Sequence, residues 1–240
     1  MSRWILLLLV FCPAILHAAE HDAGGPAGTW KGQGELGFSS TSGNSDSENL
    51  NASLRLSRET DAWKHSAALD SLQAKTDGET SADRFEFRQR SEYGLGEVSY
   101  LYGQFRYEDD EFSGYQYQAS ATVGAGSRLL TTDRHRVDVS AGLGMRRIES
   151  SADGTTDSEG IFGSDLAYEY LISEFAVLKA RLLLESGDDN TYSESETALR
   201  TRIDGALSAK IGYLVRHNSK VPSGIENTDR LATVSLVYDF

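Results

Sequence analysis

The sequence is short of cysteine, proline, basic charge and long apolar runs. Its one cysteine, Cys12, falls inside the N-terminal leader. The segment beyond the leader therefore has no disulfide framework, no thiolate zinc site and no cysteine nucleophile. Proline occurs 3 times in 240 residues, and no linker or low-complexity break divides the chain, so one domain is expected. Lysine and arginine number 23 against 36 acidic residues, giving a net charge of -13. That balance argues against nucleic acid as a partner, which needs clustered Lys and Arg. After the leader there is no second long apolar run, so this is not a helical membrane protein.

The leader reads "MSRWILLLLVFCPAILHAAEHD": Arg3, an apolar run from Trp4 to Leu16, then Ala18 and Ala19. The run is too short to span a bilayer, which takes roughly 20 apolar residues. A basic start, a short apolar stretch and a small-residue exit describe a secretory signal. We expect a signal peptide over 1–19, a short periplasmic leader over 20–29 and one domain over 30–240. Acylation at Cys12 is set aside because bulky Phe11 precedes it.

The remaining sequence alternates. In "HRVDVSAGLGMR", Val137, Val139, Ala141, Leu143 and Met145 fall on one face, and Asp138, Ser140, Gly142, Gly144 and Arg146 on the other. In "YQYQASATVGAGSR", Tyr115, Tyr117, Ala119, Ala121, Val123 and Ala125 oppose Gln116, Gln118, Ser120, Thr122 and Arg128. In "FAVLKARLLLE", Ala176, Leu178, Ala180, Leu182 and Leu184 oppose Lys179, Arg181 and Glu185. A period of two is a strand signal, since a helix drifts out of phase within a turn or two. The pattern predicts about twelve strands, near 30–40, 47–58, 62–74, 82–95, 97–108, 114–130, 134–149, 159–171, 174–187, 194–203, 206–218 and 229–240.

The connections alternate in character as well. "SSTSGNSDS", "AKTDGETSA", "EDDEFSG", "SADGTTDSE", "SGDDNTYSE" and "NSKVPSGIENT" read as long acidic loops; "RETDA", "LGE", "LTTDRH", "ISE" and "DGA" read as tight turns. An even strand count with long loops at one rim and short turns at the other is the pattern of an outer-membrane barrel. The fold class expected is therefore all-β: an antiparallel up-and-down transmembrane barrel of about 12 strands. A soluble sandwich would share the alternation. The polar face, however, is densely charged: Arg84, Glu86, Arg88, Arg90 and Glu92 share one side of a single strand, and Glu196, Arg200 and Arg202 add to it. Mixed-sign ladders suit a narrow lumen in which each charge finds a partner. Phe85 and Leu95 then face lipid, and Phe85→Arg is expected to cost more than Arg88→Ser, unless the latter strands a paired glutamate.

The last strand places Ala232, Val234, Leu236, Tyr238 and Phe240 on one face, and Thr233, Ser235 and Asp239 on the other. In a closed barrel the last strand pairs with the first and ends flush at the membrane rim. A final strand ending in an aromatic resembles the signal read by the outer-membrane insertion machinery of Gram-negative bacteria. That machinery, outer-membrane lipid and lipopolysaccharide are the expected partners.

Three blocks carry a family resemblance: "GELGFSSTSGNSDSENLNASL", "YLYGQFRYEDDEFSGYQYQASATVGAGSRLL" and "GYLVRHNSKVPSGIENTDRLATVSLVYDF". Together they resemble the YdiY-type salt-induced outer-membrane proteins, a domain-of-unknown-function family, from about Gly32 to Phe240. The resemblance implies an outer-membrane barrel. It carries over no substrate, cofactor or catalytic residue.

Chemistry is sparse. "RHNSK" sets His217 and Ser219 two apart at the long-loop rim, a spacing that would suit a base and a nucleophile, with Asn227 as the nearby orienting group. Pro222 bends the chain there, which works against a held nucleophile. His65 and Ser66 are adjacent and point to opposite faces. His135 sits in a turn, and His21 in the leader. Asp109, Asp110 and Glu111, and Asp188 and Asp189, lack the ligand spacing of a calcium loop and read as solvated charge. No catalytic, metal or cofactor site is assigned, and no cofactor is expected. Glycines such as those in "VGAGSR" follow the strand alternation and make room in a narrow lumen for Arg and Tyr opposite. No loop reads as long enough to fold back as a constriction. A structural or stress-associated barrel with a charge-lined lumen ranks first, a narrow solute channel second and a surface lipid acyl hydrolase third.

Overall fold

A computed structural model of the chain describes residues 28–41, 47–110, 113–151, 154–222 and 224–240. The expected signal segment, 1–19, and most of the expected leader lie outside the described residues.

Twelve strands form: β1 (Trp30–Thr41), β2 (Ser47–Glu59), β3 (Trp63–Thr76), β4 (Glu79–Gly94), β5 (Ser99–Asp110), β6 (Tyr115–Thr131), β7 (His135–Ser150), β8 (Thr156–Leu171), β9 (Ala176–Gly187), β10 (Thr191–Asp204), β11 (Leu207–Asn218) and β12 (Thr228–Asp239). Each pairs antiparallel with its sequence neighbours, and β1 pairs with β12 to close the barrel. The alternation explains the shape directly. Apolar residues at every second position cover the outer wall, with Leu143 69% and Val234 68% exposed, while the polar positions between them turn inward and are buried. That inversion fits lipid outside and a polar lumen within.

The closing seam is short. Five residue pairs, from Gln33 with Asp239 to Gly37 with Ser235, set its register. One further step on, Gly32 and Phe240 exchange both backbone hydrogen bonds, at 2.6 and 2.9 Å. Any side chain at position 32 would run into the Phe240 ring. Aromatic residues gather at this rim: Trp63 lies 5.0 Å from Tyr93, and Tyr238 6.4 Å from Phe240, centroid to centroid.

The acidic stretches differ from their sequence reading. "AKTDGETSA" is not a long loop: Asp77 (φ 52°) and Gly78 (φ 80°) make a two-residue turn between β3 and β4. Asp-Gly is a strong hairpin turn, because both positions need positive φ. The strands run on through the flanking Ser and Thr. Tyr115 also departs from expectation. A bulge at Gln116 breaks the β5–β6 register, so Tyr115 pairs with inward Asp110 while Tyr117 pairs with outward Asp109. Tyr115 thus belongs to the lumen side.

Phe85 faces outward as expected, but opposite Asp109, at the long-loop edge of the apolar band. Leu143 sits deeper, between Val123 and Phe162. Leu143→Arg is therefore expected to destabilise the barrel by about 2–4 kcal/mol and Phe85→Arg by no more than about 1 kcal/mol. Urea titrations of folding into lipid vesicles would show this order; equal losses would place Phe85 near the midplane instead.

Candidate functional site

The lumen has two parts. Toward the long-loop rim it is filled. Arg84, Glu86 and Arg88 from β4 and Arg106, Glu108 and Asp110 from β5 meet Glu185 from β9, Glu194 from β10 and Arg216 from β11. Arg106 is 1% exposed and Glu86 and Arg146 are 0% exposed. Arg88 reaches Glu194 at 2.9 Å and Glu86 at 2.6 Å; Arg106 reaches Glu185 at 3.4 Å and also pairs with Glu108; Arg216 reaches Asp110 at 3.3 Å. The Arg106 guanidinium also stacks over the Tyr192 ring at 4.0 Å. Bonds between β4–β5 and β9–β11 cross the interior, tying opposite walls together. Arg146 on β7 adds bonds to Glu159 (2.6 Å) and to the Asn190 carbonyl. Each charge is desolvated, and charges so placed persist only when partnered.

Arg88 is consequently not a free luminal charge. Replacing it by Ser takes a close partner from Glu86 and the closest from Glu194, leaving them Arg84, Arg106 and Arg181. Its cost is therefore expected to exceed that of losing an unpaired luminal charge.

Residues 219–222 and 224–227, between β11 and β12, lie over this plug. Tyr115 Oη, on the far side of the barrel, donates to the Lys220 carbonyl at 2.7 Å. Gly114 (φ 81°) lies so close to Pro222 that a side chain there would collide with it and press against Ile225. Asn190 fastens the near end: its amide donates to Asn218 (2.8 Å), and its side-chain oxygen accepts from Ser219 (3.2 Å) and from the Lys220 backbone N–H (3.1 Å). The expectation that no loop folds back as a constriction is therefore corrected. Pro222 makes the bend, and its contact lies across the mouth.

Toward the short-turn rim the lumen opens into a vestibule of about 630 Å³, bounded above by Arg88 and Arg90 and reaching Lys31, Lys64 and Lys179 near the mouth. Tyr100 and Tyr102 line one wall of the lumen here. A side chain at Gly126 would run into the Tyr100 ring, and one at Gly142 into the Val123 carbonyl and the Tyr102 hydroxyl, so Gly126 makes the room that Tyr100 fills.

The residues that suggested a base and a nucleophile have other partners. His217 Nδ1 faces Thr228 Oγ1 at 2.9 Å; the Ser219 hydroxyl donates to Asn190 and accepts from the Thr191 N–H (2.8 Å); Asn227 donates to the Asn218 carbonyl. The three residues are not brought together. A different His–Ser contact forms on the outer wall: His65 Nδ1 lies 2.8 Å from Ser91 Oγ, which also accepts from Gln89 at 2.8 Å, with Trp63 stacked on the imidazole. It arises from the β3–β4 register, which no spacing in the sequence displays. The acidic runs bind cations of the chain itself. Asp110 points inward to Arg216, Asp109 points outward, and Asp189 pairs with Lys220 at 3.1 Å, holding that ammonium above its usual range. Glu111 lies outside the described residues. Among the described residues no cluster has the make-up of a metal site.

Comparison with known proteins agrees with this architecture. A family model described as "Protein of unknown function, DUF481" matches residues 34–240. An uncharacterized Escherichia coli K12 protein, YdiY, is 27% identical over 212 residues, covering 87% of this chain and 82% of that one. Among solved structures, an outer-membrane channel from Pseudomonas putida F1 (COG4313) aligns with TM-score 0.55 and 13% identity over 92% of this chain and all of its own length. The translocator domain of the autotransporter NalP from Neisseria meningitidis aligns with TM-score 0.50 and 13% identity, over 91% of this chain and 90% of that chain. At these identities the likeness is one of fold, that of outer-membrane barrels.

Proposed function

The chain belongs to the DUF481 family, and we propose that it serves as a closed structural barrel of the Gram-negative outer membrane rather than as an open pore. One observation carries this reading: the long-loop half of the lumen is filled by ion pairs that cross from β4–β5 to β9–β11, beneath a connection that spans the mouth. Short turns face the periplasm in barrels of this kind, so the sealed end faces outward. Lipid and lipopolysaccharide surround the outer wall, and the insertion machinery reads the strand that ends at Phe240. Association with salt stress, which the family resemblance implies, belongs to the same proposal.

A narrow channel is the second reading, and a specific feature favours it. Beside the plug lies a small cavity of about 80 Å³, where Asn51, Ser53 and Thr233 present short side chains and Gly212 presents bare backbone. Slackening of the ion pairs would let small solutes pass along that seam. Liposome swelling separates the two readings. Vesicles carrying the barrel are expected to stay as tight to small sugars as empty vesicles, and rapid swelling would favour the channel. An acyl hydrolase has the least support, since His217 and Ser219 are each committed to other partners.

A further inference from the structure

We propose that the vestibule at the short-turn mouth is a binding site for small multivalent anions, solutes that carry two or more carboxylate or phosphate groups. Ten cationic side chains line it against six carboxylates, in a chain whose net charge is -13. Arg55, Arg88 and Lys210 are met by Glu35, Asp70, Glu86 and Glu194 outside the lining, so the surplus is Lys31, Lys64 and the two cations that share Glu169. The surplus is concentrated near the opening. Glu169 serves Lys179 at 2.9 Å and Arg136 at 4.0 Å together, and Lys64, on the opposite wall, is within electrostatic reach of the same carboxylate. Neither Lys64 nor Lys31 has a carboxylate within salt-bridge distance among the described residues.

The plug above is different in kind: its arginines are matched by carboxylates, and the cavity beside it measures about 80 Å³. Here the same types of side chain surround about 630 Å³ of open space, within the usual range of small-molecule sites. Low-dielectric walls focus the field of the unmatched cations into that space. The turns at the rim carry Glu59, Asp61, Glu97, Asp133, Glu174 and Asp204. Arg58 and Arg134 stand among them, so the rim is mixed in sign, while Lys31 and Lys64 lie at the lining of the vestibule, where a small anion reaches them. The plug closes the far end, so the ligand enters and leaves by one mouth. This inference does not depend on whether the barrel conducts, since a blind vestibule binds as well as an open one.

Calorimetric titration of the refolded barrel in detergent micelles at low salt tests the site, with citrate and pyrophosphate as separate probes. Saturable binding of either is expected, with the tighter of the two identifying the preferred group, and none of acetate or spermidine. Joint replacement Lys64→Gln and Lys179→Gln is expected to weaken binding roughly tenfold or more. The charge-conserving pair Lys64→Arg and Lys179→Arg should retain it. Heat-modified gel mobility establishes that each variant is folded. The site is overturned if neither polyanion binds, if the folded Gln variant binds as well as the parent, or if spermidine binds equally.

Discussion

Removing Phe240 is expected to leave most of the protein unassembled, whereas Ser235→Ala assembles normally. The reason lies in the closing seam. β1 and β12 share five register pairs before the Gly32–Phe240 pair, fewer than any other neighbouring strands. Loss of Phe240 deletes two backbone hydrogen bonds from that short ladder, about 1–3 kcal/mol in all. It also strips the aromatic ring that covers Gly32 at the rim. Ser235 faces the lumen and accepts one long hydrogen bond from Asn51 (3.4 Å). Its loss leaves the register intact. Heat-modifiable mobility of membrane fractions measures the folded yield; equal yields for the two variants would show that closure does not depend on the final pair.

The second large effect concerns Arg106. Its guanidinium lies among Glu86, Glu108 and Glu185 and against Tyr192, with almost no contact with water. Arg106→Met leaves those carboxylates partnered only in part. Breaking a buried pair by removing one member costs about 3–5 kcal/mol, because the remaining charge stays desolvated. Arg136 offers the contrast. It is an exposed cation 4.0 Å from Glu169, and Arg136→Met is expected to cost less than about 1 kcal/mol. Urea unfolding of both variants from lipid vesicles gives the comparison. Similar losses would mean that the plug contributes no more to stability than a surface pair does.

What can be read in the sequence follows from the range of the interactions involved. The facing of β6, β7 and β9 is a local property, written in alternation, and the structure repeats it for Val123, Leu143 and Leu182. The ladder of Arg84, Glu86, Arg88, Arg90 and Glu92 likewise points to a charged interior. Its continuation in Arg106, Glu108 and Asp110 is present as alternation too, but the run of acids beside Phe112 and Gly114 reads as loop. The Asp77–Gly78 turn is obscured in the same way by flanking Ser and Thr, which suit loops and exposed strand ends alike. Partnerships are not legible. Arg106 with Glu185, Tyr115 with Lys220 and His65 with Ser91 all depend on register or on closure of the ring, and neither leaves a mark at fixed spacing. The bulge at Gln116 is a single-residue event, and it alone moves Tyr115 from one face to the other.

The sealed lumen is tested most directly by single-channel recording in planar bilayers, with the unaltered barrel beside Arg106→Ala. The unaltered protein is expected to give a flat trace at every voltage the bilayer withstands. Arg106→Ala removes the cation at the centre of the plug and leaves Glu86, Glu108 and Glu185 lining the gap, so discrete cation-selective steps are expected from it. Stable conductance steps from the unaltered barrel, of the same size as those from Arg106→Ala, would contradict a closed lumen.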